Sequence, residues 1–104
     1  MVYMLVTVQI QRGKLKEWAE LYEKHFLPAT KRHGQRLVAA WKTTVGTYDE
    51  VTDLYAFENL AEFEKIRKNL FQDPGVQKYL PVLNSLSGFE ISKIMEPLSY
   101  SEMK

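Results

Sequence analysis

Apolar side chains alternate from the second residue onward: Val2, Met4, Val6, Val8 and Ile10 fall on one face of a strand spanning 2–10. Past Gly13 the period lengthens to three and four. Leu15, Trp18, Tyr22, His25, Phe26, Ala29 and His33 then form one helical stripe, with Glu17, Glu20, Glu23 and Lys24 on the other side. Pro28 falls inside this pattern and predicts a kink or break near Lys24–His25, because proline has no N–H to give the preceding turn. Gly34 ends the helix behind Lys31, Arg32 and His33, whose positive charge suits the helix C-terminus. Two strands follow at 36–45 and 50–58, joined by Gly46-Thr47-Tyr48-Asp49. Alternation puts Leu37, Ala39 and Trp41 on one face of the first strand. In the second it puts Val51, Asp53, Tyr55 and Phe57 opposite Leu54 and Ala56.

Asn59 with Glu62 three residues on has the spacing of a capping box, opening a helix that buries Leu60, Phe63, Ile66, Leu70, Phe71 and the stem of Arg67. Asp73-Pro74 starts a further short helix, with aspartate as cap and proline at the first position. That helix carries Val76, Tyr79, Leu80 and Leu83 and is distorted by Pro81. A last strand at 88–96 carries Phe89, Ile91, Ile94 and Met95. The order βαββαβ is that of a ferredoxin-like α+β domain over residues 1–97, an antiparallel sheet with both helices on one face, followed by a polar tail at 98–104. Several strands are apolar on both faces, which leaves the helix-free face unsuited to water. A second copy, sheet against sheet, would cover it. The expected assembly is therefore a homodimer forming a dimeric α/β barrel.

Composition removes more functions than it supplies. The chain of 104 residues is the size of one domain, and its 45% hydrophobic and 26% charged content is that of a globular protein. A net charge of +1 creates no field for nucleic acid or anionic membranes, so neither is an expected partner. With no cysteine there are no disulfides, thiolate nucleophiles or cysteine metal sites, and a reducing cytoplasm is the expected location. No apolar run reaches the length of a membrane span, and the N-terminal residues lack the pattern of a secretory signal.

Candidate chemistry rests on five side chains. His25, on the apolar stripe beside Pro28, could serve as a general base or ligand-binding group, or sit in the core bonded to a carbonyl that Pro28 leaves unpaired. Asp53 shares a face with apolar neighbours, where desolvation would raise its pKa; the alternative is a salt bridge. Tyr3, Trp41 and Tyr55 could line a pocket for a flat aromatic or quinone-like ligand, or simply fill the core and the interface. Metal binding is not expected: His25 and His33 are eight residues apart, about 12 Å along a helix, and no carboxylate cluster has ligand spacing. Glycine-rich phosphate loops and a serine elbow are missing, and no cofactor is implied.

The run Gly13-Lys14-Leu15-Lys16-Glu17-Trp18 and then Tyr22-Glu23-Lys24-His25-Phe26-Leu27-Pro28 resembles the first helix of NIPSNAP-family domains. Lys31-Arg32-His33-Gly34, the strand from Leu37 through Trp41 to Val45-Gly46, and Asp73-Pro74-Gly75-Val76-Gln77-Lys78-Tyr79-Leu80-Pro81 extend the likeness over nearly the whole chain. The resemblance implies the dimeric α/β-barrel fold, whose wider superfamily includes cofactor-independent monooxygenases, haem-degrading enzymes and small isomerases. The family itself has no settled activity. Where its first strand often carries Glu and Arg, this chain has Met4 and Val6; where its third often shows His and Trp, this chain has Asp53 and Tyr55. Three readings follow: a dimer binding a small apolar ligand between helices and sheet, an oxygenase or isomerase using His25 and Asp53, and a haem-binding protein ligated by His25.

Overall fold

A computed structural model describes residues 1–104. Strand β1 (Val2–Ile10) lies at the centre of an antiparallel sheet, paired on one side with β3 (Glu50–Phe57) and on the other with β4 (Ser87–Met95). Strand β2 (Arg36–Lys42) flanks β3, giving the order β2-β3-β1-β4. That order and the βαββαβ connectivity make the domain ferredoxin-like α+β. The alternation of β1 carries through to burial. Val2, Met4, Val6, Val8 and Ile10 join a core of helix residues, while Tyr3 belongs to a separate small cluster with Leu54 and Ala56 on the opposite face.

The first helical stretch is three pieces in one rod: α1 (Leu15–Leu21), a π-helical segment (Tyr22–Phe26) and α2 (Leu27–His33). Pro28 stands in the first turn of α2 and gives nothing to the carbonyl four residues back. The chain absorbs the gap by widening a turn rather than breaking: the N–H of Leu27 reaches five residues back to the carbonyl of Tyr22. In a regular α-helix, side chains four apart drift by about 40°. The wider turn cancels part of that drift. Trp18, Tyr22 and Phe26 consequently stack in one ladder, with centroids 5.2 and 5.8 Å apart and rings tilted by 10° and 11°. Gly34, with φ of +85°, stops the rod in the left-handed region, and Gln35 N–H closes it onto the carbonyl of Thr30.

Both later helices start at the caps the sequence marks, although Glu62 does not return the side-chain bond that would complete a capping box at Asn59. Asn59 accepts from Glu62 N–H at 2.8 Å and opens α3 (Leu60–Phe71). Asp73 accepts from Gly75 N–H at 2.8 Å and opens α4 (Pro74–Leu86), which is longer than expected, holds Pro81 within it and runs straight into β4. Asp73 does a second task. Arg32 and His33, at the end of α2, both reach its Oδ2, at 2.9 and 2.8 Å, and the three side chains tie the rod to the joint between α3 and α4. These bonds hold the Asp73 carboxyl well below the usual carboxylate range.

The β2–β3 hairpin departs from strict alternation. β2 ends at Lys42 rather than 45, and its register slips between Leu37 and Ala39. Leu37 lies opposite Tyr55 on the helix-covered face, whereas Ala39 and Trp41, opposite Leu54 and Thr52, lie on the helix-free face. The bulge moves one extra residue into β2 and so reverses which face its later side chains take.

Phe57 anchors the core, 2% exposed and edge-on to Phe63 at 5.1 Å. Phe57→Ala is expected to lower unfolding free energy by about 3–5 kcal/mol, read as a shift in urea midpoint at unchanged slope.

Candidate functional site

Between the helix-covered face of the sheet and the helices lies a cavity of about 420 Å³. Met4, Val6 and Val8 of β1 and Asp53 and Tyr55 of β3 form its floor, and Ser87, Gly88 and Glu90 of β4 its edge. The aromatic ladder of Trp18, Tyr22 and Phe26 makes one wall; α3 and α4 supply Arg67, Leu70, Val76, Leu80 and Leu83. Trp18 is held by its indole N–H, which donates to Ser87 Oγ at 3.0 Å, and that hydroxyl in turn donates to the carbonyl of Leu83 at 2.8 Å. A methyl group at Gly88 would sit 3.0 Å from the backbone oxygen of Gln9, so a larger residue would push β4 away from β1 by a few tenths of an ångström here.

Asp53 and Tyr55 follow from strand periodicity: two apart on β3, they point the same way. Asp53 lies between Val6 and Ala40, and Tyr55 between Met4 and Leu37, so their strand neighbours offer no charge and no side-chain hydrogen bond. Both residues are buried, at 5% and 3% exposure. No protein group bonds to the Asp53 carboxyl or the Tyr55 hydroxyl, yet the structure has no sealed side-chain polar atom without a partner. Their tips therefore open into the cavity. Burial alone pushes the Asp53 carboxyl up to about 6. Burial likewise raises the Tyr55 hydroxyl, against a smaller opposing pull from Arg67.

The other sequence candidates lie elsewhere. Tyr3 is on the helix-free face, and so is Trp41, 53% exposed. A pocket shared by Tyr3, Trp41 and Tyr55 is therefore corrected: the sheet itself separates the first two from Tyr55. His25 is half-buried in the π-helical segment but lies outside the cavity, its ring stacked on Tyr79 at 3.6 Å. Neither of its sequence-derived environments, a pocket group or a carbonyl-bonded core histidine, is the one it occupies. The sequence pattern implies no more than a buried stem for Arg67, whereas in the fold this residue lines the cavity. Its position on the apolar stripe of α3 was the available signal. No group of three or more His, Asp or Glu side chains comes together as a metal site.

The sequence profile of the NIPSNAP family matches residues 3–102. The chain belongs to the NIPSNAP family. Solved NIPSNAP structures share the fold throughout. A NIPSNAP family protein of unknown function from Agrobacterium tumefaciens is 25% identical, with a TM-score of 0.92 and 100% of this chain and 94% of that one covered. An uncharacterised NIPSNAP domain protein from Burkholderia xenovorans is 23% identical, with a TM-score of 0.90 and coverage of 97% and 98%. An antibiotic biosynthesis monooxygenase shares the fold at 10% identity, with a TM-score of 0.70 and coverage of 94% and 99%. Nothing among curated proteins matches this NIPSNAP chain. No helix is long and apolar enough to cross a membrane.

The raised Asp53 carboxyl carries a stability signature with a definite sign. Its unfolded pKa is 3.8 and its folded pKa about 6, so between these values the folded state holds more protons and stability falls as pH rises. Above pH 6 the penalty is complete, about 3 kcal/mol. Asp53→Asn cannot ionise. Relative to wild type it is expected to gain stability between pH 4 and pH 7, measured by urea unfolding across that range. A difference that stays flat with pH would show that Asp53 is not desolvated.

Proposed function

We propose that this NIPSNAP domain is a homodimeric binding protein whose cavity between sheet and helices takes a small, flat, largely apolar ligand bearing an oxygen function. One observation carries the reading: two buried polar tips, Asp53 and Tyr55, open without protein partners into a space of about 420 Å³ whose lining is mostly hydrophobic. That volume suits a small molecule, and convergent polar groups in an apolar wall are what orient one. Proton-transfer catalysis, of the isomerase or cofactor-independent oxygenase kind, is the second reading. It draws on Asp53, whose pKa near 6 suits a general base at neutral pH. The haem reading draws no support from the cavity, because His25 stands outside it against Tyr79. A cysteine-free chain suits a reducing cytoplasm, the compartment we propose.

The second copy sits, in this proposal, on the helix-free sheet face. Trp41, Phe89, Ile91 and Met95 are exposed there, at 53, 70, 45 and 38%. Side chains of this size in one sheet face are uncommon on a monomer.

Two experiments test these proposals. Light scattering on wild type should give twice the 12.2 kDa chain mass, and Trp41→Glu with Ile91→Glu should give the monomer; a monomeric wild type removes the dimer. For the ligand, Trp41→Phe leaves Trp18, in the cavity wall, as the sole tryptophan. Menadione, a flat quinone, should quench it saturably, and Tyr55→Phe should weaken binding by about 3–10-fold, the value of one hydrogen bond. Quenching that rises linearly without saturation would sink the binding reading.

A further inference from the structure

The cavity contains a cation that the fold leaves without a salt-bridge partner. Arg67 projects from α3 into the space above the sheet, and it is the only basic residue in the cavity wall. The structure's ion pairs all belong to Asp73, so no carboxylate lies within 4 Å of the Arg67 guanidinium. A guanidinium has five N–H donors. One of them makes a long bond to Gln35 Oε1, at 3.4 Å, and the plane rests over the Phe71 ring, with Cζ 4.6 Å from its centroid. The remaining donors have no protein acceptor, and none is sealed away. They face open space.

Tyr55 lies in the floor of the same cavity. Arg67 and Tyr55 each perturb the other's ionisation, and both feel Glu90, an exposed residue at the β4 edge. Asp53, two residues before Tyr55 on the same face of β3, is perturbed by burial alone. The cavity therefore presents a desolvated cation and a phenolic donor together among mostly hydrophobic walls. Desolvating a guanidinium is unfavourable unless an anion meets it. Its planar fork matches a carboxylate in particular, through two parallel N–H···O bonds. A phosphate would bring a second negative charge into walls with no second cation.

We infer that the ligand of this cavity is a flat, apolar monocarboxylate, its carboxylate held by Arg67 and Tyr55 and its apolar body lying among Met4, Val76 and Leu83. The inference rests on the cavity reading above and adds the charge and the anchor. Glu90 is the opposing charge at the mouth, where it weakens the site for anions.

Isothermal titration with 2-naphthoate and with 2-naphthamide, which has nearly the same shape and no charge, tests it. Wild type should bind the naphthoate at least about tenfold more tightly, the scale of one charge-assisted bond. Arg67→Gln should abolish that preference while keeping amide affinity. Glu90→Gln, which leaves the anchor in place, should tighten naphthoate binding severalfold and leave the amide unchanged. That second variant keeps the test decisive should Arg67→Gln fail to fold. Equal affinity for acid and amide in wild type overturns the carboxylate inference and leaves the cavity reading standing. A preference that survives in Arg67→Gln, or a Glu90→Gln variant that binds both ligands as wild type does, also overturns it. Binding of neither compound takes down the cavity reading and the inference together.

Discussion

A proline in the first helical rod cannot bond to the carbonyl four residues before it, and much of the helical layer follows from how the chain accommodates this. Between Tyr22 and Phe26 the backbone opens into a π-helical turn and then resumes α geometry at Leu27. The extra width rotates the aromatic residues of the rod into register, so Trp18, Tyr22 and Phe26 present one continuous wall to the sheet. The cavity lies between this column of rings and the Met4, Val6 and Val8 side chains of β1. The same rotation carries His25 away from the cavity and onto Tyr79 of α4, where its ring is stacked.

The helical layer is tied to itself as well as to the sheet. Asp73 caps α4 with one carboxylate oxygen and receives Arg32 and His33 on the other. A single side chain thus sets the end of α2 against the start of α4, toward the opposite end of the rod from the Trp18–Ser87 bond. The elements that frame the cavity are fastened to one another at their ends.

Inside that frame, electrostatics is governed by desolvation rather than by ion pairing. Asp53, Tyr55 and Arg67 are all shifted toward their neutral forms with burial as the largest cause, and none has a salt-bridge partner. A core designed only for stability would hold apolar groups at these positions, since unpaired polar side chains oppose folding. Their unfavourable placement is what distinguishes this space from a packing defect. It also separates the covered face of the sheet from the other, where exposed Trp41, Phe89 and Ile91 offer area and no comparable set of buried ionisable groups.

Local physics made a large part of this protein legible in its sequence. Period-two alternation in β1 and β3 placed Val2 to Ile10 and Val51 to Phe57 against the helices, because side-chain direction in a strand depends only on parity. Asn59, Asp73 and Gly34 marked helix ends because capping requires only neighbouring backbone groups. Asp53 and Tyr55 were identifiable as polar residues on a core face for the same reason. Tertiary structure decided the rest. The bulge between Leu37 and Ala39 depends on pairing with β3, so no count along β2 alone could place Trp41 on the helix-free face. Pro28 announced an irregularity, but whether the chain would break, kink or widen depended on how the rod packs against α4 and the sheet. The gathering of Arg67 with Tyr55, twelve residues apart on different elements, appeared only when α3 folded over β3. Parity and capping are properties of adjacent residues, whereas a cavity is a relation between surfaces that meet only in the folded chain.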